Sequence, residues 1–192
     1  MVSRVRGGGA VTFMSFGLIL GAIMKTLIVL RHAQSEHPSD ARDHERPLTE
    51  KGVREARRMG RLLRGLHPEL VLCSTALRAR ATTEEALSAA QLSPRVQELD
   101  QLYDSDVPQH IDAMCRVDGS VDCLMVVGHN PTLEGLVSKL VSRPIVMRTG
   151  TLAVVAIPTE SWQAVDPSLP GALVGLFDPA MLKKKASSND AP

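Results

Sequence analysis

Residues 25–35 read KTLIVLRHAQS, and the unbroken apolar, β-branched run at 26–30 constrains the fold more than any other stretch. So short a run, with no polar residue alternating through it, suits a strand buried on both faces, as in a parallel sheet covered by helices above and below. It ends at Arg31-His32. That charged pair then lies at the carboxyl edge of the sheet, where open α/β sheets collect their ligands. Two further runs repeat the pattern. Residues 70–73 lead into Ser74, and residues 123–127 end in Gly128-His129-Asn130-Pro131.

Helical patterns separate these strands. Thr49 is placed to cap a helix running to about Leu66, with Val53, Ala56, Gly60, Leu63 and Leu66 on one face. Lys51 and five arginines (Arg54, Arg57, Arg58, Arg61 and Arg64) lie largely on the other, which reads as a solvated side or as a surface for an acidic partner. Ser74-Thr75 open a second helix to about Ala90, carrying Arg78 and Arg80 in its first turns. A weaker strand is expected at 95–99 and a helix at 106–117. Asn130 suits an N-cap and Pro131 the first helical position of a helix to about Val141. Strands at 151–157 and 171–177 close the pattern, paired around the region of Trp162. This alternation predicts an α/β fold.

Composition narrows the function. The chain has 192 residues, enough for one domain with a real core. A formal net charge of +1 gives no reason to expect nucleic acid as partner. Three cysteines, Cys73, Cys115 and Cys123, form no C-x-x-C pair, so reduced thiols in the cytoplasm are expected. His32, His37 and His44 are spaced H-x4-H and H-x6-H, which matches no metal-ligand pattern; loop histidines are expected there and no metal or other cofactor. Residues 1–23 differ from the rest: Arg4 and Arg6, a Gly7-Gly8-Gly9 run, then an almost uncharged stretch to Met24. That stretch is short of the roughly 20 apolar residues a membrane span needs. It reads as an extension outside the domain, either upstream of a start at Met24 or a signal-like segment. No membrane association is expected unless it acts as a signal or anchor. Residues 183–192, which open on Lys183-Lys184-Lys185, are expected to be a disordered tail.

With the strands parallel, Arg31, His32, Ser74, Arg78 and His129 gather at one sheet edge, beside helix amino termini. Two guanidiniums, two imidazoles and free backbone N–H groups suit a dianionic phosphate. The chain has no P-loop sequence and no G-x-G-x-x-G after a strand. Cys73 has Arg78 five residues on, one short of the register of the cysteine-phosphatase cradle. Histidine remains as nucleophile, because a neutral imidazole nitrogen can take up a phosphoryl group at pH 7.

Four motifs stand in order: L-R-H-A-Q-S at 30–35, R-P-L-T-E-K-G at 46–52, S-T-A-L-R-A at 74–79 and V-G-H-N-P at 127–131. Together they resemble the histidine phosphatase superfamily, with its phosphoglycerate-mutase-like fold, and most closely its compact, SixA-like phosphohistidine phosphatase branch. The resemblance implies a three-layer sandwich over residues 24–182, with a mostly parallel central sheet and helices on both faces. It makes His32 the phosphorylated nucleophile and sets Arg31, Arg78 and His129 around the transferring group. The implied substrate is protein phosphohistidine or a small phosphate ester. A non-catalytic phosphate-binding module is the reading from another class. Arg46 is expected at the pocket mouth or on the surface, and Arg80 off the family's arginine position. The family's acid-bearing G-x-x-E-G segment is missing, and Glu98, Asp100 and Asp104 are the candidates for a general acid. R-H-A stands here for the usual R-H-G, and Pro38 where many members carry Asn.

Overall fold

The computed structural model describes residues 24–37 and 42–182. The expectations for residues 1–23 and 183–192 lie outside them. Six strands form one sheet: β1 (Met24–Arg31), β2 (Leu70–Ser74), β3 (Arg95–Leu99), β4 (Cys123–Gly128), β5 (Leu152–Pro158) and β6 (Ala172–Phe177), in the order β3-β2-β4-β1-β5-β6. The first four are parallel to one another, whereas β5 runs antiparallel to its two neighbours, β1 and β6, so the sheet is mixed with a parallel centre. The antiparallel pair sits where the chain turns back without a crossover helix.

Four helices cover the sheet: α1 (Glu50–Leu63), α2 (Leu77–Ala90), α3 (Val107–Cys115) and α4 (Thr132–Leu140). Alternation along the strands decides which residues meet which layer. Ile28, Leu30, Val71, Met125 and Val127 pack with Met59, Leu63, Ala79 and Ala86 of α1 and α2. Leu27, Val29, Leu70, Leu72, Leu124 and Val126 face the other way, against Met114, Leu133, Leu136 and Val137 of α3 and α4. A chain with helices on both faces of one sheet is thus a three-layer α/β sandwich.

Local signals account for most helix ends. Thr49 Oγ1 accepts from Gly52 N at 2.9 Å, and Asp106 with Gln109 forms a capping box at the start of α3. α1 stops at Leu63, three residues before the expected end, and turns carry the chain on to His67. Its basic face is largely spent within the chain. Arg57 Nε donates to Glu85 at 2.6 Å, Arg58 Nη1 to the Pro179 carbonyl at 2.7 Å and Arg64 Nη2 to the Ala89 carbonyl at 3.0 Å.

Two helix starts differ from expectation. α2 begins at Leu77, three residues after Ser74, and Asn130 does not cap α4; its Nδ2 donates to the Met147 carbonyl at 2.8 Å. Trp162, expected in a turn, is fully buried and donates Nε1–H to the Val121 carbonyl at 2.6 Å. Among the described residues no helix is long and apolar enough to cross a membrane.

Candidate active site

Strand register builds the site. Arg31 pairs with Gly128 across β1 and β4, so the next residues, His32 and His129, emerge side by side. Their ring centroids lie 5.0 Å apart. On the other flank Cys73 pairs with Val127, which sets Ser74 next to the end of β4. Arg78 follows in the first turn of α2, and its guanidinium is only 7% exposed.

Both imidazoles are hydrogen-bonded, and on His32 the bond fixes the proton. His32 Nδ1 lies 2.9 Å from the Ala33 carbonyl. A carbonyl only accepts, so Nδ1 carries the proton and Nε2 keeps its lone pair. His129 Nε2 lies 2.9 Å from Ser74 Oγ, which itself accepts from Ala76 N at 3.3 Å. A hydroxyl both donates and accepts, so this contact serves either neutral tautomer of His129, each of which carries one ring N–H. One ring thus offers a nucleophilic nitrogen and its neighbour an N–H.

Burial keeps both rings neutral. The pKa of His32 is pushed down to about 4 by desolvation, with the guanidiniums of Arg78, Arg31 and Arg46 adding to the shift against its Ala33 hydrogen bond. His129 is pushed down to about 3, first by burial and then by the His32 ring and Arg78. His110, buried on α3, is lowered for the same reason.

The segment after β1 is tied on all sides. Ala33 N donates to Thr82 Oγ1 at 3.0 Å, one turn beyond Arg78, and Gly150 N donates to the His32 carbonyl at 3.0 Å. Gln34 lies so close to α1 that a Cβ on Gly52 would stand 2.0 Å from the Gln34 carbonyl oxygen. Arg31 donates Nη1–H to the Met147 carbonyl at 2.7 Å, and burial lowers its pKa despite the nearby Glu134 carboxylate. The buried nitrogens Arg31 Nε, Arg78 Nε and His129 Nδ1 have no partner among the described residues. The two guanidinium nitrogens are N–H donors, the kind that phosphoryl oxygens accept from.

Several residues enter the site that sequence reasoning passed over. Asp43, in the short 3-10 turn Asp43–Glu45, lies across Arg78. Its carbonyl accepts from Arg78 Nη1 at 2.6 Å and its Oδ2 from Arg78 Nη2 at 2.9 Å. Tyr103 O–H donates to the same Oδ2 at 2.7 Å, and Arg46 Nη1 to Oδ1 at 2.6 Å. These donors, Tyr103 first and Arg46 next, hold the Asp43 carboxyl well below the usual carboxylate range. His44, expected to be a solvated loop residue, packs edge-on against Tyr103 with ring centroids 4.8 Å apart, and Tyr103 is 5.7 Å from His129. The nearest sequence signal for Asp43 is its place three residues before the R-P-L-T motif. Nothing local marks Tyr103.

Among the described residues none of the three carboxylates considered as general acids is hydrogen-bonded to either imidazole. Glu98 accepts from Arg80 Nε at 3.1 Å on the edge strand, Asp100 accepts from Thr75 Oγ1 at 2.8 Å, and Asp104 is exposed. Arg80 is thereby spent on Glu98, away from the imidazoles. Arg46 reaches the site's margin, donating to Ser35 Oγ at 2.8 Å as well as to Asp43. Cys73 is buried, and burial raises its thiol to about 11, so it is inert as a nucleophile at neutral pH. Among the described residues no group of three or more His, Cys, Asp or Glu side chains is placed to hold a metal.

The description Histidine phosphatase superfamily (branch 1) matches residues 27–110. An uncharacterised protein of Mycobacterium tuberculosis is 36% identical over 167 residues, covering 78% of this chain and 99% of its own. The chain belongs to the histidine phosphatase superfamily. An uncharacterised chloroplastic protein of Arabidopsis thaliana is 30% identical over 154 residues, which cover 74% of this chain and 71% of that one. Among solved structures of the superfamily, a protein histidine phosphatase SixA complexed with tungstate is 27% identical with a TM-score of 0.70, over 82% of this chain and 99% of that one. A SixA phosphohistidine phosphatase candidate from Nakamurella multipartitia is 30% identical with a TM-score of 0.72, over 82% and 98%. The chain is accordingly a phosphatase with the phosphoglycerate-mutase-like α/β fold and a close likeness to SixA.

Proposed function

We propose that this phosphatase removes the phosphoryl group from protein phosphohistidine through a phosphorylated His32. The observation that carries the reading is the proton placement on His32: with Nδ1–H given to the Ala33 carbonyl, Nε2 is left as a neutral nucleophile in a buried setting. Arg31, Arg78 and His129 surround it with N–H donors, and charge stabilisation by such donors is most of what phosphoryl transfer requires. In the first step His32 Nε2 forms a bond to phosphorus as the P–N bond of a substrate ring protonated at its other nitrogen breaks, and that ring departs as neutral imidazole with the electron pair. Water then attacks the phosphorus of phospho-His32, the P–Nε2 bond breaks with its pair returning to Nε2, and the water proton passes to the released phosphate or to solvent.

The leaving group favours phosphohistidine over an alkyl ester. A departing imidazole has a conjugate acid of pKa roughly 6.5, so it leaves readily at neutral pH. An alkoxide is about as basic as hydroxide and requires a proton donor, water itself having a pKa of roughly 15.7. Glu98 is paired with Arg80, Asp100 accepts from Thr75, Asp104 is exposed, and Asp43 is held ionised. Likeness to the SixA structures supports the same substrate class. The free state of Cys73, Cys115 and Cys123 fits a cytoplasmic setting.

The test is a phosphohistidine-labelled protein offered to wild type and to His32→Ala. Wild type is expected to trap acid-labile, alkali-stable label and to turn over. His32→Ala is expected to trap none while still binding vanadate. Phosphohistidine is expected to exceed a sugar phosphate at least about tenfold in kcat/KM, a barrier gap of about 1.4 kcal/mol. Efficient sugar-phosphate hydrolysis with no activity on phosphohistidine would move the enzyme to small phosphate esters.

A further inference from the structure

The position of Asp43 is unusual for a site that has to take an anion. The Arg78 guanidinium has two terminal NH2 groups, and each gives a hydrogen bond to one residue, Nη1 to the Asp43 carbonyl and Nη2 to its carboxylate Oδ2. An anionic carboxylate oxygen on a guanidinium nitrogen takes a position that a phosphoryl oxygen also fits. The two partners differ in freedom: the Arg78 side chain is 7% exposed and Asp43 is 52% exposed. Displacement would therefore move the aspartate and leave the arginine in place. The carboxylate would not be stranded. Arg46 Nη1 already holds Oδ1 and Tyr103 O–H already holds Oδ2.

We propose that Asp43 determines specificity as an internal competitor, a tethered carboxylate held on Arg78 Nη2 that a dianionic phosphoryl group displaces and a monoanionic carboxylate does not. A phosphoryl dianion carries twice the charge and has further oxygens for Arg31 and His129, so it gains more than Asp43 loses. A free carboxylate gains no more than Asp43 already has, and it also competes against a group whose effective concentration is on the order of millimolar because it is tethered. The site thereby refuses the aspartates and glutamates of protein surfaces while admitting a phosphorylated side chain. This inference rests on the reading that Arg78 binds the phosphoryl group.

The experiment is calorimetric titration of the full chain with inorganic phosphate, in wild type, Asp43→Asn and Arg78→Ala, with acetate as the monoanionic probe. Asp43→Asn is expected to bind phosphate about tenfold more tightly, and acetate is expected to compete in that variant but not in wild type. A gain of affinity separates this role from a structural one, because a residue that merely orients Arg78 would lower affinity when altered. Asp43→Ala repeats the test without the amide. Arg78→Ala is expected to lose phosphate binding. Unchanged or weaker phosphate binding in both Asp43 variants, beside a loss in Arg78→Ala, overturns the role of Asp43 alone. Wild-type phosphate affinity in Arg78→Ala would remove the anion role of Arg78, and the role of Asp43 with it.

Discussion

Lowering the pH from 7 to 5 should destabilise the fold through the two site imidazoles. An exposed histidine in the unfolded chain titrates near 6.5. In the folded chain His32 is pushed down to about 4 and His129 to about 3. Below pH 6.5 the unfolded chain therefore binds protons that the folded chain refuses, so stability falls as pH falls. The full stability is present above about pH 6.5. The loss accumulates at about 1.36 kcal/mol per pH unit for each ring until the folded pKa is reached. By pH 5 that is about 2 kcal/mol per ring and about 4 kcal/mol for the pair. Both residues are only 8% exposed, so solvent does little to screen the effect. Such a loss is a large part of the roughly 5–15 kcal/mol that holds a domain together. The assay is urea unfolding at pH 7 and pH 5. His129→Gln should reduce the loss by about half. A stability independent of pH across this interval, or an equal loss in His129→Gln, would show that burial does not govern these rings.

Two further substitutions probe the architecture. Arg78→Ala should raise the transition-state barrier by about 2.7–4 kcal/mol, the range for losing one oriented donor; Arg80→Ala, whose guanidinium pairs with Glu98 at the edge, should change kcat/KM little. A reversal of the two in steady-state assays would contradict the strand register described above. Gly60→Ala would place a Cβ 2.1 Å from the Ala86 carbonyl oxygen. It should therefore force α1 and α2 apart and cost about 1–3 kcal/mol in chemical denaturation; an unchanged midpoint would show that the contact yields freely.

The sequence by itself determined the strands, most helix spans and the identity of the residues at the strand ends. Those are local matters. An unbroken apolar run such as 70–73 has few places to go but a sheet interior, and Thr49 caps α1 through a bond only three residues long. Arg31, His32, Arg78 and His129 were legible because each follows a strand whose apolar run announces its end. Tertiary structure alone decided what those side chains bond to. Ser74 reads locally as a helix cap, yet its hydroxyl is claimed by His129, 55 positions away. Asn130 reads as a cap and is drawn instead to Met147. Asp43 meets Arg78 across 35 positions and Tyr103 across 60, and no periodicity encodes such separations. A polar side chain near a site takes whichever partner the packed core brings within reach, because leaving a buried donor or charge unpaired costs more than forgoing a local cap. The core, set by apolar pattern, places the strand ends; their placement then selects the hydrogen bonds, and with them the protonation of His32 and the carboxylate on Arg78 Nη2.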